Sequence, residues 1–425
     1  MALCRWQPNA VVATSRARRS RLLLRHEQGS RGYPKASRSS AEDKQRVVSD
    51  EVSESISRRE LFARQAALAT VSVTAPQVPS SSAADNTLPT VPTATLAPGL
   101  EISQVVKGCW QLSGGHRGDK ASDRTQGQDA VTDFAAFADA GITTLDTADI
   151  YGPSEALIGK YLRSKDAGSP PSQVLTKFCC FGGDMFKIDR AFVEKRIRGS
   201  MERLGVRQLD LVQFYWNDYS VKSYVDAACY LADLQAQGLI RHVGLTNFDV
   251  ERIDEMRSAG VTIASNQVQY SPLDRRPEVA MASYCRDNGI ALLPYGVAAG
   301  GFFSDSYLGV PPSSVKIDTY SKSKYASVIR EAGGWEWFQE LLAAMSGVAA
   351  KHGVSVANVA ARWTLDRPTV PAIIVGARNA RHIPDHQALF RFSLDESDRA
   401  AIGEVLQRGR RPEGDCYSWE RGGRW

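Results

Sequence analysis

From about residue 101 onward, short runs of apolar and β-branched residues alternate with longer stretches whose apolar positions recur at helical spacing. The runs at 105–108, 142–147, 174–178, 209–215, 242–246, 264–269, 291–295 and 372–376 read as strands, being brief, rich in Val, Ile, Leu or aromatics and bounded by polar or glycine-bearing segments. Helices are predicted between them at 130–139, 155–163, 190–203, 224–237, 250–258, 278–287, 335–351 and 356–365. Gly141, Gly205, Gly238, Gly260 and Gly289 each fall where a helix would stop and a strand begin. Strand and helix in regular alternation predict an α/β fold with a parallel sheet, and eight such units predict a (β/α)8 TIM barrel.

Such a barrel takes about 250 residues or more, so residues 101–408 suffice for one catalytic domain, with 409–425 as a tail. The stretch 305–334 stands outside the alternation, and its wealth of Ser, Lys and Tyr reads as an insertion, a candidate lid. Trp335, Trp337 and Phe338 just after it are placed to pack a helix.

Residues 1–85 have a different character. They carry 14 Lys/Arg against 8 Asp/Glu, and the first 40 contain nine Lys/Arg, several Ser and Glu27 as the only acid. That composition matches a transit peptide, and a chloroplast or plastid address is expected, with a mitochondrial one as the alternative. Arg58-Arg59, followed by the mildly apolar 65–75 and small residues to Ala84, resembles a twin-arginine signal, although paired arginines also arise by chance in a basic leader. Thylakoid lumen and stroma both stay open. Residues 86–100, with Pro89, Pro92 and Pro98, read as a linker.

Beyond the leader, 38 Lys/Arg meet 39 Asp/Glu. That balance gives no electrostatic footprint for nucleic acid, and no apolar run approaches the roughly 18 residues of a membrane span. The seven Cys, Cys179-Cys180 included, form no C-x-x-C pattern and fit reduced thiols. His382 and His386 lie four apart with Pro384 between them and no evident third ligand, so no metal is expected.

The chemistry concentrates at the predicted strand ends. In Leu145-Asp146-Thr147-Ala148-Asp149-Ile150-Tyr151-Gly152, an acid leaves a hydrophobic run, at a cost unless it is paired. Lys177, the one charge in the next strand, is the natural partner. An ammonium beside the Tyr151 phenol would pull its pKa down by roughly 1–3 units, towards the range of a working general acid. Neither G-x-G-x-x-G nor G-x-x-x-x-G-K-[ST] is present, so a dinucleotide would be held by the rim of the barrel rather than by those loops.

The segment D-T-A-D-I-Y-G followed by T-K resembles the aldo-keto reductase superfamily, and the chain from about 101 to 408 follows that family's order. Gly244-Leu245-Thr246-Asn247-Phe248 resembles its G-x-S-N-F, and Asn266-Gln267-Val268-Gln269-Tyr270 its N-Q-x-x-Y. The resemblance implies reduction of a small-molecule aldehyde or ketone with NADPH/NADP+, Tyr151 being the acid and Asp146 and Lys177 its support. Thr246, Asn247 and Gln267 would hold the nicotinamide carboxamide, Tyr295 would stack on its ring, and Gly300 would lie along the diphosphate. Gly376 and Arg378 with Arg381 and His382 would meet the adenosine phosphate, the planar guanidinium suiting a 2′-phosphate.

Two departures stand out. Where the family's fourth strand usually carries a catalytic His, this chain reads Asp210-Leu211-Val212-Gln213-Phe214-Tyr215-Trp216, with Tyr215 in its place. Strand alternation sets Gln213 and Tyr215 on one face, and Tyr215 is open to two readings, a hydrogen-bond donor to the substrate or an aromatic packed beside Trp216. Gly296-Val297-Ala298 stands where the family often has Ser-Pro-Leu. The missing His also leaves room for an NADPH-binding sensor with vestigial catalysis, and Lys177 alone would suit a Schiff-base lyase.

Overall fold

The computed structural model of the chain describes residues 88–114 and 125–414. The expected leader up to Asp85, its paired arginines and the end of the tail from 415 lie outside those residues. A hairpin, β1 (Thr93–Ala97) and β2 (Leu100–Ser103), comes first. Eight strands follow: β3 (Val105–Gly108), β4 (Thr144–Asp146), β5 (Gln173–Cys180), β6 (Leu209–Trp216), β7 (Ile240–Thr246), β8 (Ser265–Gln269), β9 (Ala291–Tyr295) and β10 (Ile373–Gly376). They close into a parallel barrel in chain order, β10 returning to pair with β3 from Ile373 against Val105 to Gly376 against Gly108. The expected (β/α)8 barrel is therefore present.

Strand alternation sorts the side chains into two cores. On β5 and β6, Val174, Phe178, Cys180, Val212, Phe214 and Trp216 face outward into the layer shared with the helices. Leu175 and Leu211 face inward with Val106, Leu293 and Ile374, and there they meet Leu96, Leu100 and Ile102 of the hairpin. The expected linker over 86–100 thus gives way to strand from Thr93. Alternating small and apolar residues between Pro92 and Ser103 fold back at Gly99 and plug the barrel, which their Pro and Thr content had disguised.

The outer layer comprises α1 (Gly127–Asp139), α2 (Ser154–Ser164), α3 (Arg190–Leu204), α4 (Tyr224–Ala236), α5 (Val250–Ser258), α6 (Met281–Asp287), α7 (Tyr320–Ala332), α8 (Gly334–His352), α9 (Val356–Leu365), α10 (Ile383–Ala388) and α11 (Glu396–Arg408). Helix starts follow capping chemistry: Asp189 accepts from the Phe192 N–H at 2.7 Å and Ser355 from the Asn358 N–H at 3.1 Å. Gly205 ends α3 at φ 71°, its N–H returning to the Met201 carbonyl at 2.8 Å.

The insertion at 305–334 contains a regular helix, α7, with Tyr325, Val328, Ile329 and Ala332 buried on one face. α10 and α11 were not foreseen either. No helix among the described residues is long and apolar enough to cross a membrane.

Candidate active site

Asp146 closes β4 and Lys177 lies on the inward face of β5, so barrel closure brings an acid and an ammonium into contact at the mouth. Lys177 Nζ donates to both Asp146 carboxylate oxygens at 2.8 Å and to the Thr147 carbonyl at 2.9 Å. Both residues are buried, at 3% exposure each. Burying such a pair is tolerable only when the remaining hydrogen-bonding capacity is filled. Two amides fill it: Gln213 Nε2 from β6 and Gln267 Nε2 from β8 donate to Asp146 Oδ1 at 2.9 and 2.7 Å, and Gln267 also donates to Gln213 Oε1 at 2.7 Å.

Tyr151 stands over this cluster, its ring centroid 4.9 Å from Lys177 Nζ. Burial raises the phenol above its ordinary range, Lys177 pulls against that rise, and Asp146 and Cys179 add to it. The net direction is upward, opposite to the sequence expectation, which counted the lysine charge without its neutralising carboxylate or the loss of water. For Lys177, burial works against the charge, but Asp146 and Tyr151 outweigh it and hold the ammonium above its ordinary range. The Tyr151 loop is braced by Asp149, which accepts from the Cys179 N–H at 3.3 Å and is ion-paired with Arg196.

Tyr215 points inward, buried with Ala148 and Cys179 and packed against Tyr151. Its hydroxyl donates to Asn217 Oδ1 at 3.0 Å, and its ring centroid lies 5.0 Å from that of Phe181. Trp216 faces the other way, against Phe214 and Tyr224, with its indole N–H on the Asp218 carbonyl at 2.7 Å. The packing partner expected for Tyr215 is thus corrected from Trp216 to Phe181, because adjacent strand residues face opposite sides.

Thr246 ends β7 buried, and its hydroxyl oxygen has no hydrogen-bond partner. Asn247 takes a left-handed backbone, φ 57°, and its Oδ1 accepts from the Tyr295 hydroxyl at 3.2 Å. The Gln267 side chain, expected to face a carboxamide, is engaged by Asp146 and Gln213. Tyr295 lies at the end of β9, with Lys324 Nζ from α7 4.9 Å from its ring centroid. Gly300, φ 64°, approaches α7 so closely that a Cβ there would lie 2.7 Å from Tyr325 Cδ2.

A second group gathers after β10. Gly376 is exposed, Arg378 half-buried, and Arg381 and His382 exposed. The backbone here is held from below: Lys107 Nζ donates to the Ala377 carbonyl at 3.1 Å, and the Thr125 N–H donates to the Arg378 carbonyl at 3.1 Å. His386 Nε2 is buried without a partner beside this turn, and burial, His382 and Lys107 push the imidazole down to about 4.

Gln213, Asp149, Asn217, Phe181 and Lys107 were not picked out as working residues from the sequence. Period-two alternation with Lys177 and Tyr215 was a usable signal for Gln213; the others depend on which loops barrel closure brings together.

A carboxylate and ammonium beneath a phenol at the C-terminal rim of a (β/α)8 barrel mark the class of protein. The Aldo/keto reductase family model matches residues 104–407, and the chain belongs to that family. Membership makes it an oxidoreductase of the aldo/keto reductase type. It is 26% identical over 319 residues to the Aldo-keto reductase YhdN of Bacillus subtilis, covering 73% of this chain and 91% of the relative. It is 27% identical over 302 residues to the chloroplastic pyridoxal reductase of Arabidopsis thaliana, covering 64% and 79%. The glycerol dehydrogenase of Gluconobacter oxydans superposes with a TM-score of 0.62 at 25% identity, over 75% of this chain and 95% of that one.

The site fits the cofactor on its own atoms. Thr246 Oγ1 at one end and His386 Nε2 at the other are buried polar atoms lacking partners, which a folded protein rarely leaves so. A carboxamide suits the first, and a heterocycle or phosphate the second.

Proposed function

We propose that this chain reduces an aldehyde or ketone to an alcohol with NADPH, Tyr151 giving the proton to the carbonyl oxygen. The reading rests on Lys177, held 2.8 Å from Asp146 and 4.9 Å from the centre of the Tyr151 ring. A bound nicotinamide would supply the hydride for the carbonyl carbon, and the O–H bond of Tyr151 breaks as its proton passes to the carbonyl oxygen. The product is an alcohol, its two electrons drawn from the hydride donor and its hydroxyl proton from Tyr151, which recovers a proton from solvent. The raised pKa of the phenol keeps it protonated before the reaction. Lys177 then faces the tyrosinate that forms, and Asp146 with Gln213 and Gln267 holds Lys177 in place.

Tyr215, with its hydroxyl on Asn217 and its ring on Phe181, positions the substrate as a wall beside Tyr151. Thr246, Asn247 and Tyr295 hold the nicotinamide end, Gly300 lies beside the diphosphate, and Gly376, Arg378, Arg381 and His382 hold the adenosine phosphate. The basic composition of the leader supports a plastid address, and the chloroplastic relative is compatible with it; an import assay with plastids and mitochondria separates the two.

Screening the full chain for NADPH oxidation against aldehydes, ketones and sugars tests the activity. Turnover with any of them supports it. Tight NADPH binding without turnover on the whole panel would replace it with a dinucleotide-binding sensor.

A further inference from the structure

The loop after β4, which carries Tyr151, and the loop after β5, which carries Phe181, meet at one side chain, Arg196 of α3. Its Nη2 is ion-paired with Asp149 and donates to the Cys179 carbonyl at 3.2 Å, and its Nη1 donates to Asp184 Oδ2 at 3.3 Å. The guanidinium carbon lies 5.5 Å from the Phe178 ring centroid and 5.8 Å from that of Phe192, so the group is held on aromatic faces as well as by hydrogen bonds. Each partner adjoins the lining of the mouth. Asp149 stands two residues before Tyr151, and Cys179 turns its side chain to Ala148, Tyr215 and Tyr151. Asp184 sits in the short turn Gly182–Phe186, its N–H on the Phe181 carbonyl at 3.1 Å.

Asp149 cannot hold its place alone. Its side chain is 2% exposed, and a carboxylate so buried is tolerable only beside a cation. It also ties the Tyr151 loop to β5, accepting from the Cys179 N–H at 3.3 Å while its own N–H reaches the Lys177 carbonyl at 3.3 Å. Without Arg196 the carboxylate would move out towards water or take up a proton, and either change loosens the segment that aims the phenol. A lysine there could neutralise Asp149, but its single ammonium cannot serve both loops as the two ends of a guanidinium do.

We infer that Arg196 is a positioning residue for carbonyl reduction: through Asp149 it aims the Tyr151 hydroxyl, and through Asp184 it fixes the Phe181 loop that walls the substrate. The inference rests on the reading of Tyr151 as the proton donor. It adds a link from the outer helix layer, acting from behind the lining of the mouth.

The full-length parent, Arg196→Met, Arg196→Met combined with Asp149→Asn, and Arg196→Lys are compared with the panel compound that the parent turns over fastest. The measurements are kcat, KM, NADPH affinity, melting temperature and hydrogen exchange of segments 147–153 and 179–186. Both Met variants should lose about 10²-fold in kcat, the cost of misplacing a reacting group by about 1 Å. NADPH affinity should be retained, and exchange should quicken in both segments. The double variant strands no buried charge, so its loss of kcat does not come from a misfolded chain. Arg196→Lys should recover most of kcat, while KM stays raised because the Phe181 loop is released. Parental kcat in the Met variants overturns the inference, as does an exchange rise spread over the whole barrel in step with the melting temperature, which would make Arg196 a stability contact only. A parent that turns over nothing on the panel fails the proton-donor reading instead, and an exchange rise confined to α3 would even then overturn the tie between the two loops.

Discussion

Gln267 reaches from β8 across the barrel to Asp146 on β4, its amide N–H 2.7 Å from the carboxylate. A neutral donor there supports the anion without competing for Lys177. Gln267→Glu would place a second carboxylate in the same buried spot, and like charges so close cannot both ionise. The new group would have a folded pKa above its unfolded one, so its penalty grows as pH rises above about 4.3. The melting temperature of this variant should fall further below the parent at pH 8 than at pH 5; an equal deficit at both would show that the two carboxyl groups do not interact.

Tyr151→Phe deletes the proposed proton donor and nothing of the cofactor cradle. Turnover should drop by about 10²–10⁴ with NADPH affinity retained. Because the phenol is shifted upward, the protonated form required for reduction persists through neutral and mildly alkaline pH. kcat/KM for reduction should therefore stay level from pH 7 to at least the ordinary tyrosine value of about 10. A fall centred near pH 8 would assign the acid to another group.

Tyr215→Phe keeps the ring against Phe181 and removes the hydroxyl that donates to Asn217. If Tyr215 is a wall, turnover should change less than about threefold, far short of the 10²–10³ lost when a donor to a developing oxyanion is deleted. A loss of that larger size would make Tyr215 a participant in proton or charge transfer.

Arg378→Ala should weaken NADPH more than NADH, narrowing the preference between them, since a guanidinium is suited to the extra phosphate. Binding titrations of both nucleotides to parent and variant decide the matter, and equal affinity for the two in the parent would refute the assignment.

The imidazole of His386, whose Nε2 is buried, is shifted down to about 4 from an ordinary value near 6.5. The unfolded chain therefore binds a proton between those values that the folded chain refuses, and stability falls as pH is lowered through that window. His386→Gln cannot take up that proton, so its melting temperature should decline less than the parent's between pH 6.5 and 4. Parallel declines would remove His386 from the account.

The barrel was legible because each strand announces itself as a short apolar run, and the pairing of Asp146 with Lys177 because each is a lone charge in such a run. The hairpin was hidden by Pro92, Pro98 and its threonines, and α7 by Ser, Lys and Tyr on a helix that buries only one stripe. Gln213 and Gln267, from β6 and β8, come together only through barrel closure. The direction of the Tyr151 shift required the degree of burial, which a linear pattern does not contain.

The hairpin built on Leu96, Leu100 and Ile102 seals the barrel at the end away from Tyr151. The reaction chamber consequently has a single doorway, shared by two reactants of unequal size. Whatever reaches Tyr151, carbonyl compound or cofactor, therefore has to arrive from the side where the strands end.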